Sequence, residues 1–227
     1  MFSKSIPDFL QLLKKSPAGN AFNPWWECDD QNGAGRNGPS IRRKQLCAYL
    51  EERIGKPKIA VIGEALGYRG GHFSGIPMTS ERLLLGRSKA LGLQPDDFFS
   101  GIEPRRTSNP KICPDGFSEP TATIVWSTLL GLGLKPNEFV LWNAFSWHSF
   151  DPRRGLLSNR MPNKSERAAG LPVLKAFLEL FPCDQVIALG KIAAAQLKEL
   201  NANARCIRHP ASGGAKLFRE QIAKFVC

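Results

Sequence analysis

The segment Ile59-Ala60-Val61-Ile62 is a short, mostly β-branched apolar run that stops at Gly63 and is followed at once by Glu64. A run of that length and composition reads as a strand buried on both faces, as strands of a parallel sheet are. Five glycines then fall within thirteen residues, Gly63 to Gly75. Glycine turns let backbone N–H groups approach a ligand with no Cβ in the way. In open α/β sheets, ligands bind in the crevice at the carboxyl ends of the strands. Glu64 therefore stands where a chemical group would be placed. A plain strand-to-helix loop with an exposed glutamate fits the stretch equally well, so taken alone it leaves both readings open.

The rest of the chain repeats the pattern. Phe139-Val140-Leu141-Trp142 is a second buried strand, ending in Asn143; residues 185–189 form a third; residues 204–208 form a short fourth, followed by His209. Helical spacing covers 3–15 (capped by Ser3 or Ser5), 40–55, 79–91 (capped by Thr79 or Ser80), 119–132, 165–181 (capped by Ser165), 191–200 and 215–226. Strands alternating with helices predict a parallel sheet with helices on both faces. Residues 16–40 are loop-like, and the aromatic cluster at 22–26 reads as pinning that loop to the core, with base stacking as the alternative. The long irregular stretch 92–118 carries Arg105 and Arg106 and fits a functional or mobile loop. At 227 residues one large domain is expected, residues 1–57 packing on it as an N-terminal helical and loop extension.

Lys and Arg number 31 against 20 Asp and Glu, a net charge of +11. That excess favours a polyanionic partner, nucleic acid first. No apolar run reaches membrane-spanning length and no signal-peptide core is visible, so a soluble, cytoplasmic protein without a membrane partner is expected. None of the six cysteines has C-x-x-C spacing. A disulfide framework, a metal site and an iron–sulfur cluster are therefore not expected, and most of the cysteines read as small buried apolar residues.

Three strands end in polar residues: Glu64, Asn143 and His209. A parallel sheet gathers such ends along one rim. An amide offers a paired donor and acceptor that suits the Watson–Crick edge of a pyrimidine. A neutral imidazole can donate to a developing oxyanion. A carboxylate can orient water or stabilise a cationic sugar.

Beyond those groups, five motifs resemble, in order, those of bacterial and archaeal uracil-DNA glycosylases. Gly63-Glu64-Ala65-Leu66-Gly67 with Gly75-Ile76-Pro77 is similar to G-E-A-P-G…G-x-P-F, and the strand ending in Asn143 to the uracil-reading strand. Asn159-Arg160-Met161-Pro162 with Glu166 is similar to N-R-x-P-x-x-x-E. Residues 187–193 resemble I-x-x-L-G-x-x-A, and His209-Pro210-Ala211-Ser212 resembles H-P-S.

The resemblance implies a three-layer αβα sandwich around a four-stranded parallel sheet. It implies a monofunctional glycosylase that flips deoxyuridine out of DNA, hydrolyses its N-glycosidic bond and leaves an abasic site. It implies uracil-containing DNA as partner, a monomer, no cofactor and no metal. By the same resemblance Glu64 and His209 are catalytic, and Gly63, Ala65, Tyr68, Phe73, Met78 and Asn143 line the base pocket. Arg69, Arg160, Lys164, Arg208, Ser212, Gly213, Lys216 and Leu217 would meet DNA, with Lys216 or Leu217 as the wedge that fills the gap. The chain departs from the motifs at three places. Leu66 replaces a proline, Met78 stands where a phenylalanine stacks on uracil, and Ala65 occupies the place of a water-activating aspartate. Phe73 is then the alternative stacking ring, and His148 an additional candidate general base. The alternatives carried forward are a non-catalytic DNA reader, a glycosylase for hypoxanthine or a mismatched base, and an unrelated α/β enzyme acting on small anions.

Overall fold

The computed structural model describes residues 5–88 and 91–226. Ser3, Cys227 and part of the helix expected to run to residue 91 lie outside the described residues. Four strands, β2 (Ile59–Ala65), β3 (Phe139–Phe145), β5 (Gln185–Leu189) and β6 (Ala204–Ile207), form one sheet in the order β3-β2-β5-β6. Every pairing is parallel, with Gly63 opposite Asn143 and Ile62 opposite Ala188. The chain winds one way from β2 to β3 and the other way from β3 through β5 to β6. Right-handed crossovers then place the helices on both faces.

Side-chain alternation along β3 shows those two faces. Phe139 packs on Trp126 of α5 (Pro120–Gly131), ring centroids 4.9 Å apart. Trp142, three residues on and pointing the other way, stacks on Phe177 of α6 (Lys164–Leu180) at 5.0 Å. Both strand residues are fully buried, each contributing roughly 1.5–3 kcal/mol through burial. The fold is thus the expected αβα sandwich around a four-stranded parallel sheet.

The N-terminal segment is built into this core. Phe9 of α1 (Ile6–Leu13) meets both Trp142 and Phe177. Helix α2 (Gly38–Glu51) closes the free edge of β3, where the Tyr49 hydroxyl accepts the backbone N–H of Leu141 at 3.0 Å. Just beyond α2, Arg53 donates to the carbonyls of Tyr49, Phe98, Pro136 and Phe139 while lying over the Tyr49 ring. A guanidinium can satisfy several carbonyls at once, so one buried arginine ties together segments far apart in sequence.

Three local expectations are corrected. The helix expected over 79–91 is a single turn, α4 (Glu81–Leu84), capped by Ser80; Gly86 turns the chain at φ +65°. The cap of α6 is Asn163, not Ser165: Asn163 accepts from the Glu166 N–H at 2.9 Å and donates its own N–H back to the Glu166 carboxylate at 2.7 Å. None of the five described cysteines is buried. Cys28 and Cys206 are exposed and Cys47, Cys113 and Cys183 partly so, Cys206 because β6 is an edge strand with solvent on one side. Two small elements also escaped the sequence reading: α3 (Gly71–Ser74), and a two-residue antiparallel pair of β1 (Ala21–Phe22) with β4 (His148–Ser149). No helix among the described residues is long and apolar enough to cross a membrane.

Candidate active site

The carboxyl ends of the strands open into a pocket of about 390 Å³. Glu64 leaves β2, Asn143 comes from the last turns of β3, and His209 follows β6; all three line it, with Gly63, Ala65, Met78 and Arg160. A larger open groove, about 870 Å³, lies between the start of α2 and residues 95–107. None of the strand-end residues faces it, so size does not decide where the chemistry is.

Each of the three groups has a defined state. Asn143 is buried, and its Nδ2 has no hydrogen-bond partner among the described residues. Its Oδ1 lies so close to the Cα of Gly63 that a Cβ there would be 2.5 Å away. A buried unpaired amide donor is costly unless a ligand completes it. His209 accepts the Ala211 backbone N–H on Nδ1 at 3.1 Å. An accepting Nδ1 carries no proton, so the neutral ring keeps its proton on Nε2. Burial, helped by the neighbouring Arg208 guanidinium, lowers the pKa of His209, which favours that neutral form. Glu64 is half-buried, and burial raises its pKa against the opposing pull of Arg167. Met78 is buried at φ +48°, its Sδ 3.2 Å from where a Cβ of Gly63 would be. A non-glycine residue in that conformation stores strain of order 1–3 kcal/mol, a feature that clusters at functional sites.

Other expected site residues are placed elsewhere. Phe73 does not face the pocket: it is fully buried and stacked on Phe117 at 4.6 Å. Tyr68 meets the edge of Phe117 and accepts from Arg69 Nε through its hydroxyl at 2.9 Å. His148 is corrected as a general base. It is buried outside the pocket, its Nδ1 2.9 Å from Nδ1 of His72 and its Nε2 2.7 Å from the Ser158 carbonyl. Burial, with His72 beside it, pushes its pKa down to about 3, and both ring nitrogens are engaged. Arg160 lines the pocket, but its guanidinium is committed within the protein. It grips Glu166 with two bonds of 2.5 and 2.7 Å and donates to the carbonyls of Asn20 and Phe150. It therefore braces the wall and has no free fork for a phosphate.

Arg69, Lys164, Arg208, Ser212, Gly213, Lys216 and Leu217 do not line the pocket; all are exposed, each within six residues of one that does. Ser212 and Gly213 both take positive φ, which folds the turn after His209 tightly before α8 (Ala215–Val226). Leu217 is 51% exposed and Met161, on the pocket wall, 60% exposed. Glu119, Asn159 and Met161 are pocket residues that the reading by strand ends missed. The N-R-x-P resemblance did pass through Asn159, whose Oδ1 accepts the Tyr68 N–H at 3.0 Å. Glu119 carried no signal beyond a helix start.

Similarity to known proteins agrees with this geometry. The family model described as the uracil DNA glycosylase superfamily matches residues 52–224. Among solved structures, the fold is similar to the crystal structure of wild-type SMUG2 from Pedobacter heparinus, with TM-score 0.61 and 14% identity over 96% of this chain and 95% of that one. A search of curated proteins gave no match. With the family matched across the whole sheet and every strand-end group, the chain belongs to the uracil DNA glycosylase superfamily.

Proposed function

We propose that this DNA glycosylase hydrolyses the N-glycosidic bond of deoxyuridine in DNA, after the nucleotide is flipped from the duplex into the strand-end pocket. The observation that carries the reading is the buried, unpaired Nδ2 donor of Asn143, set in one pocket with a neutral His209 and Glu64. In this reading Asn143 donates from Nδ2 to O4 of uracil and accepts N3–H on Oδ1. Nε2–H of His209 donates to O2, where negative charge develops as the bond from N1 to C1′ breaks and its electron pair stays on the base. Glu64 faces the cationic sugar, orients the water whose oxygen bonds to C1′ and takes the proton that this water gives up. Met78 packs softly on the base where an aromatic ring would otherwise stack. Lys164, Arg208 and Lys216 supply phosphate contacts, and Leu217 enters the gap left by the flipped base.

The test is a panel of oligonucleotides carrying a single uracil, hypoxanthine or mismatched thymine, treated with alkali after incubation with excess folded protein. Strand scission at uracil is the expected result. Scission only at hypoxanthine or the mismatch would move the substrate; none anywhere, with retention of the uracil strand, would make the protein a reader.

A further inference from the structure

Glu119 is a polar residue for which the fold offers no structural reason. It occupies the N-cap of α5, yet its side chain makes no capping hydrogen bond, and Pro120 follows it. It has no ion-pair partner among the described residues, and its Oε2 is out of solvent with no hydrogen-bond partner. Instead the carboxyl reaches across to the glycine loop. A Cβ on Gly67 would stand 2.9 Å from Oε1, and a Cβ on Gly70 would collide with Oε2. Those two glycines leave the space that the carboxyl fills, beside the same pocket as Glu64, Asn143 and His209. Glu119 as a whole is part-buried, but a carboxyl oxygen out of solvent with no partner is expensive, and the fold keeps this one on the pocket wall.

We propose that Glu119, in its carboxylic-acid form, is a specificity-determining residue that donates a hydrogen bond to a carbonyl oxygen of the flipped base. The proposal rests on the base-flipping reading above and adds to Asn143 and His209 a third donor, one that can be switched off. An acid with one O–H can donate; the ionised form only accepts and repels a carbonyl oxygen. Burial alone raises its pKa, to about 7. The other ionisable groups at the pocket are Glu64 from β2, Arg160, already held by Glu166, and His209, whose lowered pKa leaves it neutral above pH 6.5. Tyr68 and Arg69 on the glycine loop engage each other. None of these hydrogen-bonds to the Glu119 carboxyl.

The experiment measures binding, not turnover, on a duplex carrying one 2′-fluoro-deoxyuridine, whose glycosidic bond resists hydrolysis, and on a matched thymine duplex, at pH 6 and pH 8. Wild type, Glu119→Gln and Glu119→Ala are compared. The expected result is a preference for the uracil duplex that falls about tenfold in the wild type between the two pH values. Glu119→Gln, which keeps a donor that does not titrate, should hold its preference at both. Glu119→Ala should show a reduced preference that is the same at both, the remainder being carried by Asn143 and His209. A uracil preference that is pH-independent in the wild type, or that still falls in Glu119→Gln, overturns the role of Glu119 and leaves base flipping standing. No uracil preference in the wild type at either pH overturns the base-flipping reading and this inference together.

Discussion

At the scale of single residues, the site depends on donors held ready without partners. Asn143→Asp keeps the size of the side chain but replaces the Nδ2 donor with an acceptor facing O4. Loss of one preorganised donor at developing charge costs on the order of 10²–10³ in rate, so single-turnover release of uracil should fall by about 10²-fold or more; an unchanged rate would make Asn143 a purely structural residue. A second residue-scale prediction concerns the buried row Asp29–His72–His148–Ser158. Asp29 Oδ2 is 3.0 Å from Nε2 of His72, and the His72 and His148 rings meet through Nδ1. Burial lowers the pKa of His72 as well, against the pull of the Asp29 carboxylate, so both rings favour the neutral form. Despite burial, hydrogen bonds from His72 and Asn32 hold Asp29 below its usual range. His148, with its pKa near 3, does not charge in the folded state above that value, whereas in the unfolded chain it charges below about 6.5. Its contribution is therefore complete above pH 6.5 and is lost as pH falls toward 3. Urea midpoints measured from pH 7.5 down to pH 4.5 should decline in the wild type and decline less in His148→Gln; parallel curves would contradict the assignment.

At the scale of elements, the glycine loop between β2 and α4 holds the pocket. Gly75 sits at φ +78°, and a Cβ there would lie 2.7 Å from the Arg42 carbonyl of α2. Gly75→Ala combines a left-handed residue, about 1–2 kcal/mol, with a contact that only backbone movement relieves. A loss of more than about 2 kcal/mol by urea unfolding is expected; a loss under 0.5 kcal/mol would show the loop adapts. Strands β2, β3 and β5 were legible because strands covered on both faces leave unbroken apolar runs, as 59–62 and 139–142 do. The start of α4 was legible from its Ser80 cap, but its end was not, because the apolar spacing continues past Gly86, where the backbone turns away. The β1–β4 pair was invisible because two residues make no pattern and only tertiary packing pairs Phe22 with His148. The same division runs through the site. Glu64, Asn143 and His209 could be read because sheet topology alone brings strand ends together. Glu119 could not, because it reaches the pocket through loop packing against Gly67 and Gly70. Phe73 and His148 were placed by their nearness in sequence to the motif residues, and both point into the interior.

At the scale of the whole molecule, the net charge of +11 overstates what DNA would meet. Arg42 and Arg53 are interior braces, and burial lowers Arg42 to about 10; Arg160 is held by Glu166. The exposed cations Arg69, Lys164, Arg208 and Lys216 carry the DNA argument. Lys216, 3.9 Å from Glu220 and highly exposed, is free to leave that weak surface pair. Lys216→Ala should weaken binding to any duplex and reduce the slope of log affinity against log salt by about one; an unchanged slope would place this lysine off the DNA.

The central claim is that a neutral His209, donating from Nε2, makes uracil a leaving group. The direct measurement is single-turnover cleavage of a duplex with one labelled deoxyuridine, wild type beside His209→Ala, with the folding of both verified. The account expects uracil release in the wild type and a fall of roughly 10²–10³-fold in the variant. A variant that releases uracil at the wild-type rate would contradict it, whatever the pocket binds.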